Sequence, residues 1–416
     1  MNTARPAALI FIFITVLVDV IGLGIIIPVI PDLIMELTGE GVSAAAKYGG
    51  WLLFIYAFMQ FLCAPLVGSL SDRFGRRPVL LLSLTGFGID YVIAGFAPTI
   101  GWLVVARLVA GITGASITTA SAYIADISTP EKKAQNFGLI GAAFGLGFII
   151  GPVIGGLLGS YGPRVPFFAA AGITLLNVLY GFFILPESLP KEKRRRFEWK
   201  RANPLGAVSQ FRQVPGVGWL VGVFSLVYFA SHATQSTWSY YTMFKFDWDP
   251  AQIGFSLGIV GVCFATVQGY LTRVLIPKIG EVKSVFIGLN MYVLGFLGFA
   301  FAPTSTLMLV MIAPYALSGL SGPALQSIIS NQVPANQQGE LQGALTSLIS
   351  LTAVFGPPFM TTVFSYFSTD QAPVVFPGAA FFIAAVLALI AIYLSKRAFT
   401  GAGSMIASHQ KITHEK

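Results

Sequence analysis

Twelve apolar segments of about 20 residues or more follow one another along this chain of 416 residues. A helix of about 20 mostly apolar residues crosses the hydrocarbon core of a bilayer. Only 10% of the residues are charged, against about 25% in soluble domains, so too little polar surface is available to face water. The sequence predicts an all-α membrane protein with twelve transmembrane helices, at residues 7–31, 49–71, 78–97, 100–126, 136–160, 165–185, 216–242, 251–272, 284–302, 305–330, 341–366 and 374–395.

The basic residues determine the predicted orientation. With the N-terminus in the cytoplasm, 21 of the 25 Lys and Arg residues fall on the cytoplasmic side, and Lys47, Arg164 and Lys245 fall outside. Cytoplasmic loops of membrane proteins carry such an excess, and an even number of spans puts both termini on one side. We predict cytoplasmic N- and C-termini and a place in the inner membrane of a bacterium. The net charge of +8 is then a topology signal, and nucleic acid is not an expected partner.

The second half of the chain repeats the first at an offset of 205 residues. The matching residues are Gly75 and Gly280, Ala97-Pro98 and Ala302-Pro303, Gly114 and Gly319, Asp126 and Asn331, Gly138 and Gly343, and Gly151-Pro152 and Gly356-Pro357. Parallel six-helix repeats are typical of a large class of secondary transporters, which bind substrate near the midplane between the halves. We predict a six-helix bundle at 1–188, a basic cytoplasmic linker at 189–214, a second bundle at 215–398 and a cytoplasmic tail at 399–416.

The loop after the second span carries the sharpest motif, Gly-x-x-x-Asp-Arg-x-Gly-Arg-Arg at residues 68–77. Its second glycine permits a tight turn, and its aspartate can cap a helix end. Its arginines can pair with acids at helix ends, and Asp126 at the end of span four is the expected partner. We predict a cytoplasmic gate formed by Gly68, Asp72, Arg73, Gly75, Arg76, Arg77 and Asp126. The alternative is a basic loop that only sets the topology.

Asp19 lies mid-way along the first apolar span. A carboxylate inside a bilayer costs roughly 3 kcal/mol on insertion scales, so it is rarely kept without a task such as proton handling or the binding of a polar substrate. The alternative is an acid buried against a neighbouring cation. No cation lies at an obvious matching depth in the same half of the chain, and we therefore expect Asp19 to carry protons.

Asp90 and Arg107 lie at similar depths in spans three and four, about 10 Å from the outer surface at 1.5 Å per residue. We expect them to form an ion pair, which serves either proton coupling or packing alone.

Other side chains in the spans are candidates for substrate binding. Glutamines also bridge helices, a single histidine is more often a packing residue, and aromatic residues also form interfacial belts. These alternatives stay open for Gln60, His232, Gln235, Trp238, Gln268 and Gln326.

The fifth span has glycines at 147, 151, 155 and 159, which form one helix face that a neighbouring helix can approach closely. This packing alone would explain the stripe.

The motif at 68–77 resembles the signature loop of the major facilitator superfamily. The fifth span resembles the antiporter motif of its drug/proton branch at Gly145, Gly147, Gly151, Pro152, Gly155 and Gly156. Stretches 19–31, 56–60, 71–83, 90–91, 107–115, 254–257 and 323–326 are similar to the tetracycline-efflux proteins of that branch. The resemblance implies that Asp19, Gln60, Asp90 and Arg107 line or support the path of drug and protons. It also implies that Asp72, Arg76 and Asp126 form the cytoplasmic gate.

The chain departs from tetracycline exporters in spans eight and nine. Those proteins carry a histidine and an aspartate where this chain has Phe264 and Tyr292. Residues 284–339 contain no Asp, Glu, Lys or Arg. Proton coupling would therefore rest on Asp19 and Asp90, and the second half can add only His232.

The expected function is secondary active transport, namely export of an amphipathic, tetracycline-like drug in exchange for protons by alternating access. The alternative is a facilitator or proton symporter for a metabolite on the same fold. A membrane-embedded enzyme is disfavoured because no catalytic residues cluster at the membrane surface, and a receptor without transport because the costly Asp19 and Asp90 remain.

The expected partners are a small-molecule substrate, protons and the lipid bilayer, with the chain acting as a monomer. No phosphate-binding loop for ATP is present in the sequence. We expect no cofactor and no metal site, apart from a divalent cation carried with the substrate.

Overall fold

The structure, a computed structural model, describes residues 4–114, 116–129, 132–195, 218–333 and 338–401. All regular structure in these ranges is helical, as predicted. Residues 196–214 of the predicted linker and 402–416 of the predicted tail lie outside the described residues.

The first half of the chain forms the α-helices α1 Ala4–Ile26, α2 Ile30–Thr38, α3 Val42–Phe74, α4 Arg76–Phe96, α5 Ile100–Thr113, α6 Ser116–Ile127, α7 Lys133–Gly159 and α8 Val165–Ile184. The second half forms α9 Gly218–Phe246, α10 Pro250–Thr266, α11 Thr272–Ile279, α12 Glu281–Phe301, α13 Ser305–Val310, α14 Ile312–Leu317, α15 Ser321–Asn331, α16 Gln338–Phe367 and α17 Ala379–Gly401.

Several predicted spans are interrupted helices. The first ends at Ile26, two residues before Pro28, whose ring nitrogen has no hydrogen to donate. The fourth breaks at Gly114, between α5 and α6. The eighth contains a π-helical turn at Val267–Leu271, a local widening that is frequent at functional sites.

Eleven helical segments among the described residues are long and apolar enough to cross a membrane, which confirms a multi-pass membrane protein. The predicted span at 216–242 is not one of them. It forms α9, whose 29 residues extend about 43 Å at 1.5 Å per residue. Polar residues are frequent between Ser231 and Ser239, and they lower its hydropathy. The count of twelve spans and the cytoplasmic termini stay predictions.

The repeat in the sequence extends to the helix bounds. Helices α4 and α12 each contain 21 residues, and both their ends lie 205 positions apart. The starts of α5 and α13, and those of α7 and α16, keep the same offset. Gly75 and Gly280, which precede α4 and α12, have φ angles of +107° and +86°. Because glycine reaches positive φ without steric cost, both halves can start the corresponding helix with the same kind of turn.

The chain forms two compact units. The first comprises the described residues within Met1–Pro204, Ser236–Val262 and Pro357–Val375. Its core contains Phe11 of α1 and Leu84 of α4, together with further apolar residues of α1, α4, α6 and α7.

The second unit comprises the described residues within Leu205–Gln235, Cys263–Gly356 and Phe376–Lys416. Its core contains Val223 of α9 and Leu289 of α12, with further apolar residues of α15, α16 and α17. The predicted boundaries at 188 and 215 stay predictions.

Candidate functional site

Asp19 of α1 is buried, with 2% of the residue exposed. The hydroxyl of Ser116, the first residue of α6, donates to its Oδ2 at 2.6 Å. Its Oδ1 is also buried and has no hydrogen-bond partner among the described residues. Because an ionised carboxylate has about four lone-pair sites, this oxygen can accept a proton or a hydrogen bond from a bound molecule.

Asp90 of α4 and Arg107 of α5 form the predicted ion pair through Oδ2 and Nη2. Both are buried, and Asp90 is 0% exposed. In the part of the chain that the structure describes, Oδ1 of Asp90 lacks a hydrogen-bond partner. The pair places a neutralised carboxylate in the same half as Asp19.

Gln60 of α3 supports the helix break beside Asp19. Its Nε2 donates to the carbonyl oxygen of Gly114 at 2.6 Å and to the hydroxyl of Tyr56 at 3.2 Å. A break in a helix frees backbone carbonyls that need other donors. Gln60 supplies such a donor to the carbonyl oxygen of Gly114. Gly114 lies two residues before Ser116, whose hydroxyl donates to Asp19.

Tyr56 and Tyr91 share the surroundings of both carboxylates. Each hydroxyl interacts electrostatically with Asp19, Asp90 and Arg107. The sequence pattern does not predict Tyr91 or Ser116 as site residues, because a lone hydroxyl in an apolar span carries no signal of its partner.

Arg76 is the centre of the charged cluster at the end of α3. Its guanidinium contacts Asp72 Oδ1 at 2.6 Å and Asp126 Oδ2 at 3.1 Å, so the expected pairing with α6 is present. It also donates to Ser71 Oγ at 2.6 Å. These contacts join the loop between α3 and α4 to α6. The function of the cluster as a gate stays a prediction.

Glu187, which follows α8, completes this cluster. Its carboxylate accepts hydrogen bonds from the backbone N–H groups of Arg76 at 2.9 Å and Arg77 at 3.3 Å, where α4 begins. Ser188 Oγ donates to Asp126 Oδ2 at 3.1 Å. A carboxylate at a helix N-terminus accepts hydrogen bonds from the free N–H groups, and its negative charge interacts favourably with the helix dipole. The signal that could have identified Glu187 is a single acid directly after an apolar span.

The remaining motif residues have local contacts. Arg73 is exposed, and its guanidinium lies 5.1 Å from the ring centroid of Phe74. Arg77 donates to the carbonyl oxygen of Phe182 at the end of α8. The carbonyl oxygen of Gly68 accepts from Ser71 Oγ at 2.7 Å.

Glycines of α7 permit close contact with α1, the helix of Asp19. A Cβ atom on Gly151 would lie 2.8 Å from the carbonyl oxygen of Ile21 and 2.9 Å from Cα of Gly24, too close for any real side chain. Cβ atoms on Gly147 and Gly155 would also clash with α1, at Val20 and Ile25. The predicted close packing of this face is confirmed.

The other residues of the predicted antiporter motif differ in position. Gly156 faces α10, where its Cβ would lie 3.1 Å from Cα of Gly254. The ring of Pro152 packs against Gly24 of α1. A Cβ atom on Gly24 would lie 2.9 Å from Cδ of Pro152. Gly145 has open space on its Cβ side, with no described heavy atom within 4 Å.

The second-half candidates make contacts of their own. His232 of α9 is buried, and its ring packs against Gly356 of α16. A Cβ atom on Gly356 would lie 2.6 Å from Cγ of His232. Trp238 is buried and donates through Nε1 to Ser256 Oγ at 2.9 Å. These contacts describe packing.

The second-half glutamines are exposed. Gln235 donates to Ser231 Oγ at 3.1 Å, and Gln326 donates to Gln342 Oε1 at 3.0 Å. Gln268 lies in the π-helical turn. No observation assigns these three residues to a ligand, so their predicted binding role stays a prediction.

Phe264 and Tyr292 belong to an aromatic cluster around Tyr315. The ring centroid of Tyr315 lies 5.2 Å from that of Phe264 and 5.7 Å from that of Tyr292. Aromatic packing therefore replaces the titratable pair expected of tetracycline exporters at these positions. Among the described residues, no group of three or more His, Cys, Asp or Glu side chains could hold a metal ion.

Known proteins resemble the chain over nearly its whole length. The family model of the Major Facilitator Superfamily matches residues 12–322 and, in a second match, 226–404. The class C tetracycline resistance protein of Escherichia coli is 38% identical over 390 residues, 94% of this chain and 96% of that protein. Multidrug resistance protein 2 of Bacillus subtilis is 31% identical over 349 residues, 82% of this chain and 85% of that protein. The crystal structure of the human organic anion transporter MFSD10 matches with a TM-score of 0.68 and 25% identity, over 94% of this chain and 99% of that one.

Proposed function

The chain belongs to the Major Facilitator Superfamily, and from this premise we propose that it exports an amphipathic, tetracycline-like drug in exchange for protons by alternating access. It is a multi-pass transporter and not an enzyme, and we place it in the bacterial inner membrane. The tetracycline and multidrug resistance relatives support the export of drugs.

Asp19 is the observation that carries the proposal. Its carboxylate is buried in α1 with one oxygen held by Ser116 and the other without a partner among the described residues. A buried carboxylate is costly in a membrane unless it is protonated or paired. It can therefore hold a proton or a donor group of the drug on the same oxygen, but not both. Such competition makes drug release and proton uptake alternate, which is antiport.

Asp90 and Arg107 supply the second carboxylate of the pathway. The guanidinium neutralises Asp90, so this carboxylate can stay ionised while buried. If a proton reaches Asp90, the pair loses its attraction and the contact between α4 and α5 weakens. Protonation would thereby be converted into a change in helix packing.

The test is drug-dependent proton movement in inside-out membrane vesicles with an acidic lumen. Tetracycline and a panel of other amphipathic drugs are added to wild type, to Asp19→Asn and to the control Glu40→Gln. Glu40 is an exposed acid that accepts a hydrogen bond from Tyr48, so its loss leaves the buried site intact. Asp19→Asn keeps the size and the hydrogen-bond acceptor but cannot take up the proton.

Proton release from the lumen in wild type and Glu40→Gln, but not in Asp19→Asn, is the expected result. Full proton-driven transport by Asp19→Asn would refute the role of this carboxylate. A lack of response to every drug by a folded wild type would refute drug antiport.

A metabolite facilitator or symporter is the second candidate, favoured by the aromatic packing of Phe264 and Tyr292. A symporter would move its substrate in the same direction as protons under an imposed pH gradient, whereas the proposed antiporter moves it in the opposite direction.

A further inference from the structure

Five buried side-chain oxygen atoms in the first half have no hydrogen-bond partner among the described residues: Asp19 Oδ1, Asp90 Oδ1, Tyr91 Oη, Thr119 Oγ1 and Thr174 Oγ1. Buried polar side-chain atoms are paired in the large majority of cases, so each exception needs an explanation. The two carboxylate oxygens can only accept a hydrogen bond while their carboxylates are ionised, and each of the three hydroxyls carries a hydrogen to donate. Among these hydroxyls, that of Tyr91 is the phenolic one.

The position of Tyr91 connects the two carboxylates. Asp90 is directed to α5, where it meets Arg107. Tyr91 is the next residue, about 100° further around α4, and its hydroxyl lies 3.1 Å from where a Cβ of Gly22 on α1 would be. Gly22 follows Asp19 by three residues, so both lie on the same face of α1. Helix α4 thus presents one polar residue to Arg107 and the next to the face of Asp19.

The charged and titratable groups around Tyr91 come from four helices. Its hydroxyl lies within electrostatic range of Asp19 of α1, Tyr56 of α3, Asp90 of α4 and Arg107 of α5, without a hydrogen bond to any of them among the described residues. Tyr56 is itself held by a hydrogen bond from Gln60. Thr174 of α8 adds only a neutral hydroxyl, 3.4 Å from the same point at Gly22.

We infer that Tyr91 relays a proton from Asp90 to Asp19. The inference rests on the proposed proton coupling. The protonated Asp90 gives its proton to Tyr91 Oη as the hydroxyl gives its own proton to Asp19 Oδ1. Asp90 ends as a carboxylate neutralised by Arg107, Asp19 ends neutral, and Tyr91 is unchanged, so charge and atoms balance without another reactant. Tyr91 follows Asp90 in α4 and packs against the face of α1 that carries Asp19, and in this relay its hydroxyl links the ion pair to the drug-binding carboxylate.

The test compares Tyr91→Phe with Tyr123→Phe, which also removes one buried hydroxyl from the first half. Tyr123 Oη donates to the carbonyl oxygen of Pro186 and is not part of the relay. Two rates are measured in vesicles: drug uptake driven by a pH gradient, and exchange of labelled for unlabelled drug without net proton movement. We expect Tyr91→Phe to lower the driven rate at least about tenfold, in line with the loss of an acid–base group, and to leave exchange within about twofold.

Tyr123→Phe should retain both rates. A driven rate of Tyr91→Phe equal to that of wild type would overturn the relay while leaving antiport in place. An equal fall of both rates would also overturn it, since the hydroxyl would then serve structure or drug binding. If wild type shows no drug-dependent proton movement, the proposed function fails and the relay with it.

Gly22→Ala provides a second variant that leaves the tyrosine in place. Its methyl group would lie 3.1 Å from Tyr91 Oη and 3.3 Å from Cε2, so the ring must shift away from α1. We expect the same selective loss of the driven rate. Normal coupling in this variant, with the ring displaced in its structure, would contradict the relay.

Discussion

Asp90 and Arg107 each bury a charge that the other neutralises. Removal of one partner of a buried pair leaves an unpaired charge and costs about 3–5 kcal/mol in soluble proteins. Removal of both charges leaves two neutral polar groups, which cost less to bury. The energy that couples the two side chains can therefore be measured by comparing the stability of the two single variants with that of the double variant.

We predict that Asp90→Asn and Arg107→Gln each lower the thermal unfolding midpoint of the purified protein more than the double variant does. The coupling energy between neighbours in such cycles is about 0.5–3 kcal/mol. Thermal unfolding of the four proteins in one detergent provides the cycle. Strictly additive effects would show that the two side chains contribute independently.

The sequence predicted this pair but not the partner of Asp19. Asp90 and Arg107 lie at equal depths on consecutive helices, and depth follows directly from residue counting. Ser116 is 97 positions from Asp19, and its orientation depends on the break at Gly114. Hydropathy does not record hydrogen-bond direction, so such a contact appears only once the helices are assembled.

At the scale of helices, the contact between α1 and α7 sets the position of Asp19. The glycine spacing in the sequence predicted a close-packed face, because small residues four apart align on a helix. It did not identify the neighbour, which is α1. The limits of the third, sixth and ninth spans were also predictable, since these apolar runs end close to the ends of α4, α8 and α12. The first span was predicted too long, because its helix already ends at Ile26. The π-helical turn at Val267–Leu271 was not predictable, because the backbone register changes there without a change in hydropathy.

Gly151→Ala should destabilise the protein by about 1–3 kcal/mol, the usual cost of overpacking. Its methyl group would meet backbone atoms of Ile21 and Gly24, which cannot move without shifting α1. Gly145→Ala on the same helix is the matched control, because its methyl group enters open space. There, alanine should be neutral or stabilising by up to about 1 kcal/mol, through its better helix propensity. Thermal unfolding distinguishes the two, and equal midpoints would mean that the α1–α7 contact is looser than described.

At the scale of the whole molecule, the repeat preserves the backbone and not the charges. Arg76 corresponds to Glu281 at the offset of 205, and Asp126 corresponds to Asn331. Glu281 accepts a hydrogen bond from Ser327 at 2.6 Å. Turns and helix starts recur because both halves fold in the same way, whereas the described part of the second half contains no counterpart of the acid–arginine cluster. The repeat in the sequence therefore predicted the architecture. The charged residues of the first half that have no equivalent at the offset of 205 predicted the site.

The seventh span can be tested through the sides of the membrane on which its ends lie. The positive-inside distribution predicts that Glu192, before α9, is cytoplasmic and that Asp249, after it, is outside. We predict that a membrane-impermeant maleimide labels Asp249→Cys but not Glu192→Cys in intact cells, in a background with Cys63 and Cys263 replaced by serine. Inside-out vesicles should give the opposite pattern. Tyr161→Cys, at a position 82% exposed between α7 and α8, is the outside control. Because α9 is the described helix between Glu192 and Asp249, labelling of both from the same side would mean that α9 does not cross the membrane despite its length.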